Sequence, residues 1–285
     1  MVSVRALAAA SSVLALGLSV GSVQAADVAA GPKPAVAEVN GKIEFQGGPY
    51  TIDDFGGGGE WQGGASLSVP LGDVLGVQAD VAVSNTVNGN TLEGGMLHFF
   101  TRDPDAYLFG VTGGSFWTNN ANAQLIGPEV ELYAGQFSFQ AYAGFMNANI
   151  AGANSGKLFG IGDISYYATD DLMFKLGVKD VMDFKTAHLG LEYMISDSMP
   201  VSFTLDGKIG DSNYRAVDVG LKFYFGGPDK SLIRRHREDD PPNRIFDVFN
   251  GAGNAFAPSG PQIGKCPQGE TDIDPGPGIN CQYAG

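Results

Sequence analysis

A chain of 285 residues with a formal net charge of −14 is long enough to enclose one large domain and too acidic to hold a nucleic-acid backbone. No basic stripe along the chain offsets that acidity. Its two cysteines, Cys266 and Cys281, both lie close to the C-terminus.

Residues 1–25 read as a secretory signal. Arg5 supplies a positive start, Ala6 to Val20 is almost entirely apolar, and Val23-Gln24-Ala25 fits a small-residue cleavage site. Export therefore leaves a chain beginning at Ala26-Asp27. Nothing after it approaches the roughly 18 uninterrupted apolar residues of a spanning helix. Residues 26–38 carry small residues and two prolines, the composition of an extended periplasmic linker.

From Val39 to Phe225 about twelve short stretches alternate apolar and polar residues, with no charge on the apolar side. The last one is the clearest. Val217, Val219, Leu221, Phe223 and Phe225 take one face of a strand; Asp218, Gly220, Lys222 and Tyr224 take the other. A lysine or arginine turned toward lipid at mid-membrane costs about 2–4 kcal/mol, so a charge-free face marks a transmembrane barrel. The predicted fold is all-β: an antiparallel barrel of about twelve strands over residues 39–225. Short turns are expected at Pro70–Asp73, Arg102–Asp105, Gln136-Phe137, Thr169–Asp171 and Ser196–Ser198. Longer Gly- and Asn-rich outer loops are expected at Gly47–Gly59, Thr118–Gly127 and Asn147–Lys157. The even strand number and this alternation of loops place both ends of the barrel on the periplasmic side.

The polar faces define the lumen. They carry Lys42, Lys175, Lys179, Lys208 and Lys222 against Glu44, Asp80, Glu129, Glu131, Asp163, Glu192, Asp206 and Asp218, with His98 and His188 among them. Two readings stand side by side. The first is a narrow polar pore with slight cation preference, because acids outnumber bases and inner-face glycines leave room for water. The second is a salt-bridged interior that holds the barrel shut. Strand number does not choose, since about eight strands fill with side chains and sixteen to eighteen leave a channel. Spacing sets no serine beside either barrel histidine, so no catalytic residues, and no cofactor, are expected.

The signal, the barrel pattern and the closing Gly220-Leu221-Lys222-Phe223-Tyr224-Phe225 resemble outer-membrane β-barrel proteins of alphaproteobacterial, porin-like type. That resemblance implies an outer-membrane location, contact with outer-membrane lipid, and recognition of an aromatic-ended last strand by the barrel-assembly machinery. This chain departs from the pattern in that about sixty residues follow Phe225. Some proteins of the resembled type begin Ala-Asp and are joined there to peptidoglycan. Ala26-Asp27 looks like such a start, and a plain linker is the other reading.

The segment 226–285 reads as a periplasmic tail. Asp229–Arg237 is expected as a charged helical stretch, with Arg234, Arg235, His236 and Arg237 as a solvated cluster or a contact for anionic headgroups. Pro241-Pro242 breaks it. Asn243–Phe249 is expected as a short helix whose Ile245, Phe246, Val248 and Phe249 need a partner, either the rim or mouth of its own barrel or a neighbouring periplasmic protein. In an oxidising compartment Cys266 and Cys281 would pair. The loop so closed holds Glu270, Asp272 and Asp274, part of the spacing of a calcium loop but without its closing glutamate. The functional expectation is passive passage of small hydrophilic solutes. The alternative is a structural envelope protein with a closed lumen, tying the membrane to the cell wall.

Overall fold

The computed structural model describes residues 33–53, 56–85, 91–119, 121–150, 152–196, 198–226, 229–239, 241–256, 270–272 and 281–283. Of residues 199, 253–256 and the last two stretches it describes the backbone only. The signal segment, Ala26, Cys266 and Asp274 lie outside the described residues, so the expected cleavage, wall attachment, disulfide and calcium loop have no structural counterpart.

Twelve antiparallel strands, each paired with its neighbours in sequence, form a closed barrel. They are β1 (Asn40–Ile52), β2 (Gly56–Leu71), β3 (Leu75–Asn85), β4 (Thr91–Asp103), β5 (Tyr107–Thr118) and β6 (Ala121–Ala134). There follow β7 (Phe137–Ile150), β8 (Ala153–Thr169), β9 (Leu172–Val181), β10 (Phe184–Ser196), β11 (Met199–Gly210) and β12 (Arg215–Phe225). Closure comes from β1 against β12, in a register running from Gly41 opposite Phe225 to Thr51 opposite Arg215. Because every strand has two partners, no edge is left with unpaired backbone groups, as a membrane interior demands.

The outer surface is the apolar face read from the sequence. Phe45, Leu97, Phe109, Phe139, Leu176, Leu189 and Leu221 all point outward and are exposed. Polar residues alternate with them and point inward: Lys42, Asp80, His98, Glu129 and Asp218 are each at most 6% exposed. A period of two thus separates a lipid-facing surface from an interior one on every strand.

The strands run further than the sequence pattern suggested. Pairing continues to Ile52 opposite Gly56, Thr118 opposite Ala121 and Ile150 opposite Ala153. The segments expected as loops at Gly47–Gly59, Thr118–Gly127 and Asn147–Lys157 are therefore mostly strand. Their Gly and Asn content lowers strand propensity, but backbone hydrogen bonds to an already aligned neighbour override it. The result is an uneven far mouth. β8 has 17 residues and β9 only 10. The β5–β8 wall stands tall while β9 and β10 end early, in a two-residue turn whose Met182 and Asp183 adopt φ of 59° and 64°. The opposite or near mouth carries the start of β1 and the end of β12.

Two segments outside the strands fold into this barrel. Ala35 and Val36 are fully buried at the near mouth, where Ala35 N donates to Asp73 O at 3.1 Å and Val36 packs with Phe100, Leu108 and Tyr133. The end of the expected linker is thus anchored. After β12 the chain forms a short helix α1 (Leu232–Arg234), a wider π-turn (Arg235–Asp239), and helix α2 (Ile245–Phe256). A separate two-stranded pair joins β13 (Glu270–Asp272) to β14 (Cys281–Tyr283).

The facing of the strands has a direct test. Leu221→Arg should lower insertion into lipid vesicles by about 2–4 kcal/mol, while Lys222→Arg, one residue on and inside, should insert like the parent. Equal yields for the two variants would contradict the assignment of faces.

Candidate functional site

The interior is filled by the chain's own C-terminal segment, and the wall it meets is of two kinds. In the far half of β3–β8 the inner face is apolar, with Leu92, Met96, Phe116, Tyr142 and Met146 all buried. Against it α2 sets Ile245, Val248, Phe249 and Ala252, none more than 2% exposed. Phe249 meets Phe116 edge-on, with ring centroids 6.1 Å apart. Burying each large side chain of this kind contributes about 1.5–3 kcal/mol, so α2 is a resident part of the lumen. The sequence expectation of a helix at the rim or mouth, ending at Phe249, is corrected in depth and in length. The helix is longer and lies inside, because a strip of inner wall is itself apolar.

Below α2 the lumen is polar and ordered by two histidines. His188 on β10 has Nε2 at 2.8 Å from Asp163 Oδ1 of β8 and Nδ1 at 3.1 Å from Asp206 Oδ2 of β11. The strand between them, β9, contributes Gly177 at the crossing point. A Cβ there would stand 1.9 Å from Asp163 Oδ1 and 2.1 Å from His188 Nε2, so only glycine lets the two side chains meet. On the other side His98 has Nε2 at 3.0 Å from Asp80 and Nδ1 at 2.9 Å from Glu129, with Thr112 Oγ1 also 2.9 Å from Nδ1. Both ring nitrogens of each histidine are thus taken by wall residues. No serine hydroxyl bonds to either ring, and no cluster suited to a metal ion occurs among the described residues.

The tail inserts a cation between these walls. Arg244 Nη1 donates to Asp163 Oδ2 at 2.5 Å and to Asp247 Oδ2 at 3.3 Å, and Nη2 donates to Gln140 Oε1 at 3.3 Å. Lys179 Nζ donates to Asp247 Oδ1 at 3.2 Å from the opposite side. Pro241 O accepts from Lys42 Nζ at 2.9 Å and from Gln78 Nε2 at 3.2 Å. The prolines that break the tail helix therefore expose a carbonyl that the barrel wall uses.

At the near mouth the basic cluster is engaged rather than solvated. Arg235 is buried over the Tyr224 ring, and the Arg237 guanidinium lies 4.9 Å from the Tyr133 centroid and 5.6 Å from that of Tyr167. Tyr167 Oη and Tyr224 Oη bracket His236 at 2.8 and 3.0 Å. Only Arg234 keeps an exposed salt bridge, to Glu238. Burial opposes ionisation of Glu238, yet Arg234 and Lys230 hold its carboxyl below the ordinary value. The aromatic side chains that draw the arginines inward were hidden in the polar faces of the strands.

All the lumen residues named from the sequence face inward, but they form separate groups. Lys222 binds Glu192 at 2.8 Å and approaches Glu44 at 3.8 Å. Lys208 pairs with Asp218 and with Glu60 at 2.8 Å. Glu131 accepts from Tyr133 Oη at 3.0 Å. Lys175 is partly exposed and has no hydrogen-bond or ion-pair partner among the described residues. Sequence reasoning placed Gln140 on an inner face and missed Glu60, Arg244 and Asp247. The first lies between the expected loop Gly47–Gly59 and the strand read from Trp61, and the last two lie in a tail thought to lie outside. Adjacent apolar pairs such as Phe116-Trp117 and Phe145-Met146 were the available signal for an apolar strip on the inner face.

Beside the tail lies a cavity of about 100 Å³, room for several water molecules. Lys42, Lys175, Lys179, Lys208 and Lys222 line it together with Glu44, Glu192, Asp206 and Asp247.

No family model matches this sequence, and no curated protein matches it. Among solved structures the chain is similar to the KdgM porin at 10% identity, covering 65% of this chain and 99% of that one, with a TM-score of 0.47. For the NanC porin the values are 9%, 64%, 98% and 0.47. For outer membrane phospholipase A from Escherichia coli they are 13%, 70%, 94% and 0.45. At such identities the similarity is one of barrel architecture alone.

Arg244 offers the sharpest test of the filled lumen. Arg244→Met leaves Asp163 and Asp247 without their shared cation, and removing one partner of a buried pair costs about 3–5 kcal/mol. The melting temperature should fall, and proteinase K should trim the tail while the barrel survives. Adding Asp163→Asn should recover part of the loss. Unchanged protection of the tail in Arg244→Met would show that the pair does not hold it.

Proposed function

We propose that this protein is an outer-membrane channel of low conductance, in which the resident tail leaves a narrow polar passage along the β1 and β9–β12 wall for small hydrophilic solutes. The observation that carries this reading is the position of the remaining space. Nine charged lysine and carboxylate side chains line it, mostly from β1 and β9–β12, with Asp247 of α2 among them and Phe246 of α2 beside them. A space this small accommodates water, ions and solutes of a few heavy atoms, and it is too tight for chains of sugars.

The same geometry favours small anions. Acids outnumber lysines over the strand faces as a whole, which pointed from sequence to a slight cation preference. Yet Asp80 and Glu129 are bound to His98, and Asp163 is bound to His188 and to Arg244 of the tail. Five lysines line the open space, namely Lys42, Lys175, Lys179, Lys208 and Lys222, against the four carboxylates Glu44, Glu192, Asp206 and Asp247. Lys175 makes no hydrogen bond or ion pair among the described residues, although it lies within electrostatic reach of Asp163, Asp206 and Asp247. A polar gap whose lining carries more ammonium groups than carboxylates concentrates counter-ions of the opposite sign.

Planar-bilayer recording tests this. The reconstituted protein should give small, steady steps with a reversal potential favouring chloride, and Lys175→Gln should weaken that preference. A tether decides whether the tail must move. Gly251 lies so close to Val181 that a Cβ on it would be 2.5 Å from the Val181 Cβ, so Val181→Cys with Gly251→Cys needs about 1 Å of relief to bridge. In a Cys266→Ser, Cys281→Ser background the oxidised tether should leave the steps unchanged. A silent bilayer with folded protein would favour the closed-lumen alternative, a structural envelope protein.

A further inference from the structure

The tail enters the barrel at one mouth and reaches the other. At the near mouth, Ile233 N donates to Asp170 O and Leu232 N to Asp171 Oδ1, both at 3.0 Å in the β8–β9 turn. Arg244 then sits in mid-lumen on Asp163. Asn250 Nδ2 donates at 2.9 Å to Tyr214 Oη, beside the Asp211–Asn213 turn that joins β11 to β12 at the far mouth. Gly251 rests on Val181, the last residue of β9, at the same end. The helix continues to Phe256, about 6 Å beyond Ala252 at 1.5 Å per residue.

We propose that the residues after Phe256 are delivered to the side of the membrane opposite the one from which the N-terminal segment enters. Two independent observations carry this. The first is the direction of the threaded chain, fixed at three depths by the contacts above. The second is the lack of room for a return. Among the described residues the lumen already holds residues 241–252, and the cavity beside them, at about 100 Å³, has room for a few water molecules and not for a second pass of polypeptide. The even strand number puts the two ends of the barrel on one side, and it says nothing about a tail that passes back through the lumen. With the N-terminus periplasmic, the segment 257–285 faces the outside of the cell. It is acidic and rich in proline and glycine, with Glu270, Asp272 and Asp274 against Lys265. The barrel then acts as a conduit that displays this segment at the surface, whether or not the gap beside the tail conducts.

The test is sidedness in intact cells. One variant carries a site-specific protease sequence between Gly260 and Pro261, and a second carries it between Ala30 and Gly31. The protease is too large to cross the outer membrane, and heat-modifiable migration reports folding of each variant. The account expects the Gly260 site to be cut in intact cells and the Ala30 site only after the outer membrane is permeabilised. Two sites that behave alike would overturn the proposal. For the unmodified chain, an antibody raised against a peptide of residues 265–285 should bind intact cells. Binding only after permeabilisation would overturn it as well, and this arm does not depend on the inserted sites being tolerated.

Discussion

A closed barrel of twelve strands encloses more space than its own inward side chains fill, and less than the open channel of a larger barrel. That intermediate width is the constraint on which the rest depends. Something must occupy the lumen or water will, and each choice dictates a different inner face. This chain uses its C-terminal segment. Once that segment is inside, the inner wall must be apolar where α2 lies and must supply acids where Arg244 lies. It must also supply tyrosines where Arg235 and Arg237 lie.

The charges follow from the same constraint. A carboxylate in a partly dry interior is costly unless it is paired and hydrogen-bonded. Asp163 meets this requirement twice, through His188 and through Arg244. Neither partner lies on a neighbouring strand. His188 reaches it across Gly177, and Arg244 arrives from 81 positions further along the chain. On the lysine side of the lumen Lys179, Lys208 and Lys222 are also paired with carboxylates, and there the space remains.

Much of the fold was legible in the sequence because it rests on a local rule. Alternation along one strand fixes which residues meet lipid, and Val217 through Phe225 show it without reference to any other strand. Strand ends were less legible, since Gly56–Gly59 join β2 through pairing with β1 rather than through their own propensity. The site was legible only as a set of inward positions. Its grouping depends on contacts between residues far apart in sequence, such as Lys42 with Pro241 and Lys208 with Glu60. The apolar face of the tail helix did announce a missing partner. Its identity, the barrel's own interior, needed the paired apolar residues of β5 to β8 to be read as having two buried faces.

The central claim is that the tail lies within the barrel, and a zero-length cross-link tests it most directly. Lys179 and Asp247 join wall to tail at 3.2 Å, with side chains 3% and 12% exposed. Lys208 and Glu60 join wall to wall at 2.8 Å, with side chains 4% and 15% exposed. Carbodiimide treatment of the protein in native outer membrane, followed by peptide mass spectrometry, should link both pairs. A linked Lys208–Glu60 pair without any Lys179–Asp247 product would contradict the account.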